Sequence, residues 1–126
     1  MSRKVAILIF EEVEVLDFCG PFEVFSLAGS LSKERPFEVF TVAASEDVVR
    51  TRGNLLVRPH YSLAHFPEID ILLVPGGQGT RALLTEPKVL NWIKEQSEKT
   101  EARAERNGGD RGLAILRSTS THHKKL

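Results

Sequence analysis

Two apolar runs, "KVAILIF" (4–10) and "DILLVPGG" (70–77), dominate the pattern of this chain. They are continuous rather than alternating, as expected for parallel strands buried on both faces. Between them, "LDFCGPFEVFSLAGSL" (16–31) predicts a helix. Pro21 suits its first turn, where a missing N–H costs nothing. Phe22, Phe25 and Ala28 follow helical spacing, and Val24, Leu27 and Leu31 widen the expected inward stripe. Gly29 is expected to help end the helix. "FEVFTVA" (37–43) alternates and predicts a second strand, and "VVRTRGNLLVRP" (48–59) predicts a hairpin turning at Arg52-Gly53-Asn54. Ser62 is expected to cap a helical turn reaching Phe66 and closed by Pro67. Thr80 is expected to cap a short helix, "RALL" (81–84). "EPKVLNWIKEQSEK" (86–99) predicts an amphipathic helix with Val89, Leu90 and Ile93 inward and Lys94, Glu95, Glu98 and Lys99 toward water.

Strand, helix, strand, hairpin, strand, helix is the alternation of a doubly wound α/β domain, read here as one domain over 1–126. Such domains bind ligands at the carboxyl ends of their strands. After the last helix another buried parallel strand is due. Instead, "EARAERNGGDRG" (101–112) offers only Ala102 and Ala104 as apolar side chains, and it reads as a poorly ordered loop. "LAIL" (113–116) is the one remaining strand candidate. A central strand with about four large apolar residues contributes roughly 6–12 kcal/mol of burial. Whole-domain stability is only about 5–15 kcal/mol. If "LAIL" did not replace that strand, the fold would be marginal, with an open sheet edge.

Composition narrows the function classes. Of 126 residues, 41% are hydrophobic, 17 are Lys or Arg and 17 are Asp or Glu, so the net charge is zero. No global field points to nucleic acid. No apolar run approaches ~18 residues, so no membrane span is expected. The last ten residues hold Arg117, Lys124 and Lys125 without an acid and read as a mobile basic tail. Cys19 is the only cysteine. It cannot form an intrachain disulfide, which fits a reducing compartment. "VAILIF" is too short for a signal-peptide core and leads into acids, so a cytoplasmic protein is expected.

The chemistry-bearing stretch is "VPGGQGT" (74–80), at the carboxyl end of a buried strand. Gly76, Gly77 and Gly79 allow a sharp turn and close backbone approach. The amides of Gly77, Gln78 and Gly79, before Thr80, can point at an anion or a developing oxyanion. A plain β–α turn accounts for the same residues. The Gly-Lys-Ser/Thr ending of a phosphate-binding loop is absent. Asp17 follows the first buried strand at the same edge, where it can hold a proton or orient a water. Alternatively it is a helix cap or a solvated acid. Glu12 and Glu14 read as surface charges.

"KVAILIFEEVEVLDFCGPFEVFSLAG", "DILLVPGGQGTRALL" and "VLNWIKEQ", in that order over residues 3 to about 99, resemble the ThiJ/PfpI branch of the class I glutamine amidotransferase-like superfamily. Within it they are most similar to the isonitrile hydratase-like subgroup and to the amidotransferase-like domains fused to AraC-type regulators. The resemblance implies a flavodoxin-like α/β/α sandwich with a mostly parallel sheet, incomplete here at its C-terminal end. It implies a homodimer; a small-molecule ligand is expected, with no cofactor, no metal and, from the charge balance and the short apolar runs, no nucleic-acid or membrane partner. Relatives of this kind use a cysteine at a strained strand-to-helix elbow, helped by the acid matching Asp17 and by the glycine-loop amides. Isonitrile hydratases add water to R–N≡C and give an N-substituted formamide.

The elbow is due just after residue 100, where this chain has neither the cysteine nor the strand. "RSTSTHH" (117–123) then resembles a later family strand, so the replaced segment is sharply bounded. Compensating frameshifts, a misplaced splice junction or true divergence each produce that pattern. Without a nucleophile a covalent mechanism cannot run. Cys19 is off the elbow position. A helix N-terminus would lower its pKa and Asp17 would raise it, and it reads better as a small core residue. His60 and His65 read as surface or packing residues. His122 and His123, after Thr121, are adjacent in a tail and make a poor fixed metal site. Three readings follow: an isonitrile hydratase-like domain without its nucleophile, a non-catalytic ligand-binding or regulatory domain, or a fragment produced by altered gene structure.

Overall fold

The computed structural model describes residues 3–31, 33–76, 85–98, 104–106 and 113–117. The strands are β1 (Arg3–Leu8), β2 (Phe37–Ala43), β3 (Val49–Arg50), β4 (Leu56–Val57), β5 (Tyr61–Ser62), β6 (Ile71–Pro75), β7 (Ala104–Arg106) and β8 (Leu113–Arg117). The helices are α1 (Val15–Leu31) and α2 (Pro87–Glu98). One six-stranded sheet runs β5-β2-β1-β6-β8-β7, and β3-β4 form a separate hairpin. β1 pairs in parallel with β2 and β6, and β2 with β5. This is the flavodoxin-like α/β/α arrangement.

The two continuous apolar runs are the centre of that sheet. Val5 to Ile9 are fully buried, and all five residues of β6 are buried. Burial of consecutive residues means that both sheet faces are covered, because side chains alternate between faces. At the opposite edge, Lys4 N–H donates to Asp70 Oδ2 at 2.8 Å while Asp70 N–H donates to the Lys4 carbonyl at 2.9 Å. This reciprocal pair fixes the start of β6 against β1. α2 buries Val89 and Trp92, and the Trp92 ring meets Phe66 edge-on at 5.3 Å.

The hairpin turns where the sequence indicates. Gly53 (φ 90°) and Asn54 (φ 72°) occupy the left-handed region. Glycine and asparagine tolerate it better than other residues. Thr51 is fully buried, and both its N–H and its hydroxyl donate to the Leu55 carbonyl at 2.9 Å.

Several expectations are corrected. α1 begins at Val15, so Pro21 lies in its second turn rather than its first. Val24, Leu27 and Leu31 face outward, not into the core. The inward face carries Phe18, Phe22, Phe25 and Gly29. Helical periodicity could not choose between two apolar faces, and the aromatic one won the sheet. Gly29 does not end the helix. It is buried where α1 crosses β2, and a Cβ there would lie 2.5 Å from the Phe37 carbonyl oxygen. Leu90 is exposed, while Val89 is buried and Ile93 packs on the core.

Ser62 caps no helix. It belongs to β5, and Ser62 and His65 exchange backbone hydrogen bonds across a tight bend. Pairing with Ala43 of β2 holds it extended. "LAIL" does form the strand next to β6, but antiparallel to it, with Leu113 opposite Pro75 and Arg117 opposite Ile71. Within 101–112, expected as loop, Ala104–Arg106 form β7 against β8. Backbone pairing with a neighbour close in sequence suffices for a three-residue strand, whatever its side chains. The helix expected at 81–84 and the strand-like segment 118–123 lie outside the described residues.

Candidate functional site

In this strand order the chain leaves β1 toward β2 on one side and returns to β6 on the other. The β1/β6 junction is therefore the topological switch point, where α/β sheets open a crevice at their carboxyl ends. The segment leading from β1 into α1 and the segment leaving β6 flank it. Asp17 lies in the first turn of α1, and its N–H donates to the Glu14 carbonyl at 3.1 Å. It is half-buried, with Oδ2 shielded from water. It is inside the helix, not its cap. Gly76, half-buried, follows Pro75 directly at the same edge. Gly77, Gln78, Gly79 and Thr80 lie outside the described residues.

Cys19 stands two residues beyond Asp17, about 200° around the helix axis, so the two side chains point apart. It packs against the core, and burial raises its thiol pKa. Beside β6, the carboxyl edge receives the amino end of β8, because that strand runs the other way.

Between the carboxyl ends of β1 and β2 lies a cleft of about 260 Å³. Its walls include Ile9, Phe10 and Ala43, and Glu11, Asp47 and Glu86 stand around it. Glu11 Oε2 accepts from Arg50 N–H at 3.0 Å, and Asp47 Oδ2 accepts from the Ser45 hydroxyl at 3.3 Å. The sequence carried no signal for this grouping, since the three acids come from three separate connections. Glu12 is exposed and adopts φ 68°, and Glu14 pairs with Arg52 at 3.8 Å.

His60 is exposed and stacks on Phe22 at 6.1 Å. Its Nδ1 accepts from Thr41 N–H and lies 3.0 Å from the Thr41 hydroxyl, closing the edge of β2 where β5 has not yet begun. His65 is exposed. His122 and His123 lie outside the described residues. Among the described residues no group of three His, Cys, Asp or Glu side chains could hold a metal ion, and no helix is long and apolar enough to cross a membrane.

Residues 3–105 match the model of the DJ-1/PfpI family. The chain is 27% identical over 97 residues to the isonitrile hydratase of Pseudomonas putida, a match covering 77% of this chain and 40% of that protein. Its fold is similar to that of a ThiJ/PfpI family protein from Pseudomonas syringae (TM-score 0.65, 24% identity, 78% of this chain and 39% of that one). It is equally similar to Drosophila melanogaster DJ-1beta (TM-score 0.65, 20% identity, 78% of this chain and 51% of that one). The chain thus spans about two-fifths to one-half of the length of these relatives. The family match stops at residue 105, inside the segment where the apolar pattern breaks.

Proposed function

Since the chain belongs to the DJ-1/PfpI family, we propose that it is a small-molecule-binding domain of isonitrile hydratase type that does not turn its ligand over. Asp17 and Gly76, with the following Gly77, Gln78, Gly79 and Thr80, form the binding half of the site. Asp17 supplies a carboxylate acceptor, and the glycine loop supplies close backbone approach and amide donors for a developing or resident negative charge. A nucleophile is the missing half. This is a form in which the fold can serve as a sensor. The domain acts as a homodimer in a cytoplasmic setting.

The direction of β8 carries this reading. A nucleophile elbow needs a strand that runs parallel to β6 and delivers a side chain to the carboxyl edge. β8 runs antiparallel to β6 and carries its C-terminal end to the opposite edge. Moreover, no cysteine follows Cys19 up to residue 126. A covalent thioimidate between the isonitrile carbon and a thiolate therefore has no donor at the switch point.

The test is incubation of the full chain with cyclohexyl isonitrile, with N-cyclohexylformamide followed by NMR. The expected result is formation at the buffer rate, with saturable chemical-shift changes that Asp17→Asn diminishes. Formamide production above the buffer rate would overturn the proposal. Its loss on Cys19→Ser would then reassign the nucleophile to Cys19.

A further inference from the structure

β2 has a neighbouring strand on only part of its outer edge. β5 pairs with it at Val42–Tyr61 and Ala43–Ser62, and no described strand reaches further back along it. Thr41 comes just before that pairing and is only 4% exposed. Its N–H donates to His60 Nδ1 at 3.0 Å, and its carbonyl accepts from His60 N–H at 3.1 Å. One residue therefore satisfies both backbone groups. An imidazole nitrogen stands where a further strand would present a carbonyl.

The direction of that bond fixes the state of the ring. A backbone amide can only donate, so Nδ1 carries no proton and the neutral ring holds its proton on Nε2. The imidazolium has a proton on each nitrogen and cannot accept. The Thr41 hydroxyl, 3.0 Å from Nδ1, can reverse its role, donating to the neutral ring and accepting from the cation. The amide cannot. Protonation therefore leaves the Thr41 N–H facing a second donor at a buried position, without a partner. The histidine is exposed, so a proton reaches the ring without the fold opening first.

Phe22 of α1 stacks on the ring at 6.1 Å, and Tyr61 of β5 lies tilted to it at 6.4 Å. A phenol does not ionise near neutrality. Cys19, one turn before Phe22, has its thiol pushed up by burial and stays protonated as well. Arg35 and Glu38 share with Phe22 the groove between α1 and β2, and Arg58 is exposed two residues before His60. None of these charged side chains is hydrogen-bonded or ion-paired to the ring among the described residues. His65 is the other histidine of this segment. Its bonds to Ser62 are backbone ones, so the charge on its ring leaves them standing.

We propose that His60 is an acid-sensitive latch on the outer edge of β2. With the ring neutral, it closes the edge at Thr41 and holds β5 in line behind it. With the ring protonated, the latch opens, Tyr61 and Ser62 fray from Val42 and Ala43, and the edge of β2 is bared for pairing with another strand. Little else resists the fraying: two residue pairs and the bond from Leu63 N–H to the Ala43 carbonyl, at 3.1 Å, are what remain. Imidazole changes charge between about pH 5 and 8, so the latch works in the range a cell can reach.

Nitrogen-15 NMR of the full chain, with amide hydrogen exchange read residue by residue from about pH 7.5 to about 5.5, tests this. At the upper end His60 Nδ1 should show the unprotonated shift and Nε2 the protonated one. On acidification the protection factor of the Thr41 amide should fall at least about tenfold, while those of Ala6 and Ile7, paired on both flanks, hold. His60→Gln supplies a carbonyl that accepts without titrating and should abolish the fall. His65→Gln should leave it in place. A ring carrying its proton on Nδ1 at the upper pH would overturn the proposal. So would Thr41 protection that holds throughout, a fall shared equally by Ala6 and Ile7, or a fall that persists in His60→Gln.

Discussion

Replacing Gly29 by alanine sets two opposing effects against each other at one atom. The added Cβ would sit 2.5 Å from the Phe37 carbonyl oxygen, where ordinary contact begins near 3.4 Å. The obstacle is backbone in a strand paired to β1, not the end of a flexible side chain. Relief therefore requires α1 to rise off the sheet by most of an ångström. Phe25, which meets the Phe37 ring edge-on at 4.9 Å, must rise with it. Overpacking of this kind costs about 1–3 kcal/mol, and a rigid obstacle places it at the upper end. Against it, alanine gains about 1 kcal/mol of helix propensity over glycine. The net expectation is a loss of about 2 kcal/mol, equivalent to a fall of about 6–10 °C in Tm for a domain of this size. Urea titration followed by circular dichroism reads the loss directly, and near-ultraviolet ellipticity reports the displaced rings. Gly20→Ala, measured at a concentration where the chain is monomeric, is the control and should gain about 0.5–1 kcal/mol. A Gly29→Ala protein at least as stable as the parent would refute the reasoning, since it would mean that α1 and β2 are not held at this distance.

Two further outcomes follow from groups already described. Burial raises the Cys19 thiol pKa, so the folded chain holds that proton more tightly than the unfolded chain. Its contribution to stability is complete below the ordinary thiol value of about 8.5 and declines as pH rises through and above it. Denaturation midpoints taken from pH 7 to 10 should show this decline in the parent and less of it in Cys19→Ser. Thr51→Val keeps the side-chain shape and removes the hydroxyl that donates to Leu55. Because the Leu55 carbonyl still accepts from Thr51 N–H, the cost should be about 1 kcal/mol in urea titration. A loss several times larger would mean that the hydroxyl serves more than the hairpin turn.

The elements legible in the sequence were those whose pattern admits one physical solution. β1 and β6 are too apolar and too short to be anything but central strands, and Arg52-Gly53-Asn54 suits a turn that needs positive φ. α1 was legible as a helix but not in its orientation, since leucines and phenylalanines satisfy the same periodicity on opposite sides. Only packing against Phe37 and Val39 distinguishes them. β5 was missed because two residues carry no period. The sense of β8 was unreadable for a deeper reason: a run of apolar residues suits either direction along its neighbour. At the site, Asp17 and Gly76 come to the edge where the pattern put them. The acids of the β1/β2 cleft were invisible because no local spacing links residues 11, 47 and 86.

The reciprocal Lys4–Asp70 pair has a consequence for how the chain is made. β1 can dock on β2 once residue 43 has emerged, but its other flank stays open until β6 is synthesised, about 30 residues later. At translation rates of about 5–20 residues per second that interval lasts about 2–6 s. During it the nascent chain presents one bare strand edge, apolar from Val5 to Leu8. The hairpin and the Ser62 bend are assembled in that same window, so biogenesis of this domain is most exposed to misassociation while the connection between β2 and β6 is being translated.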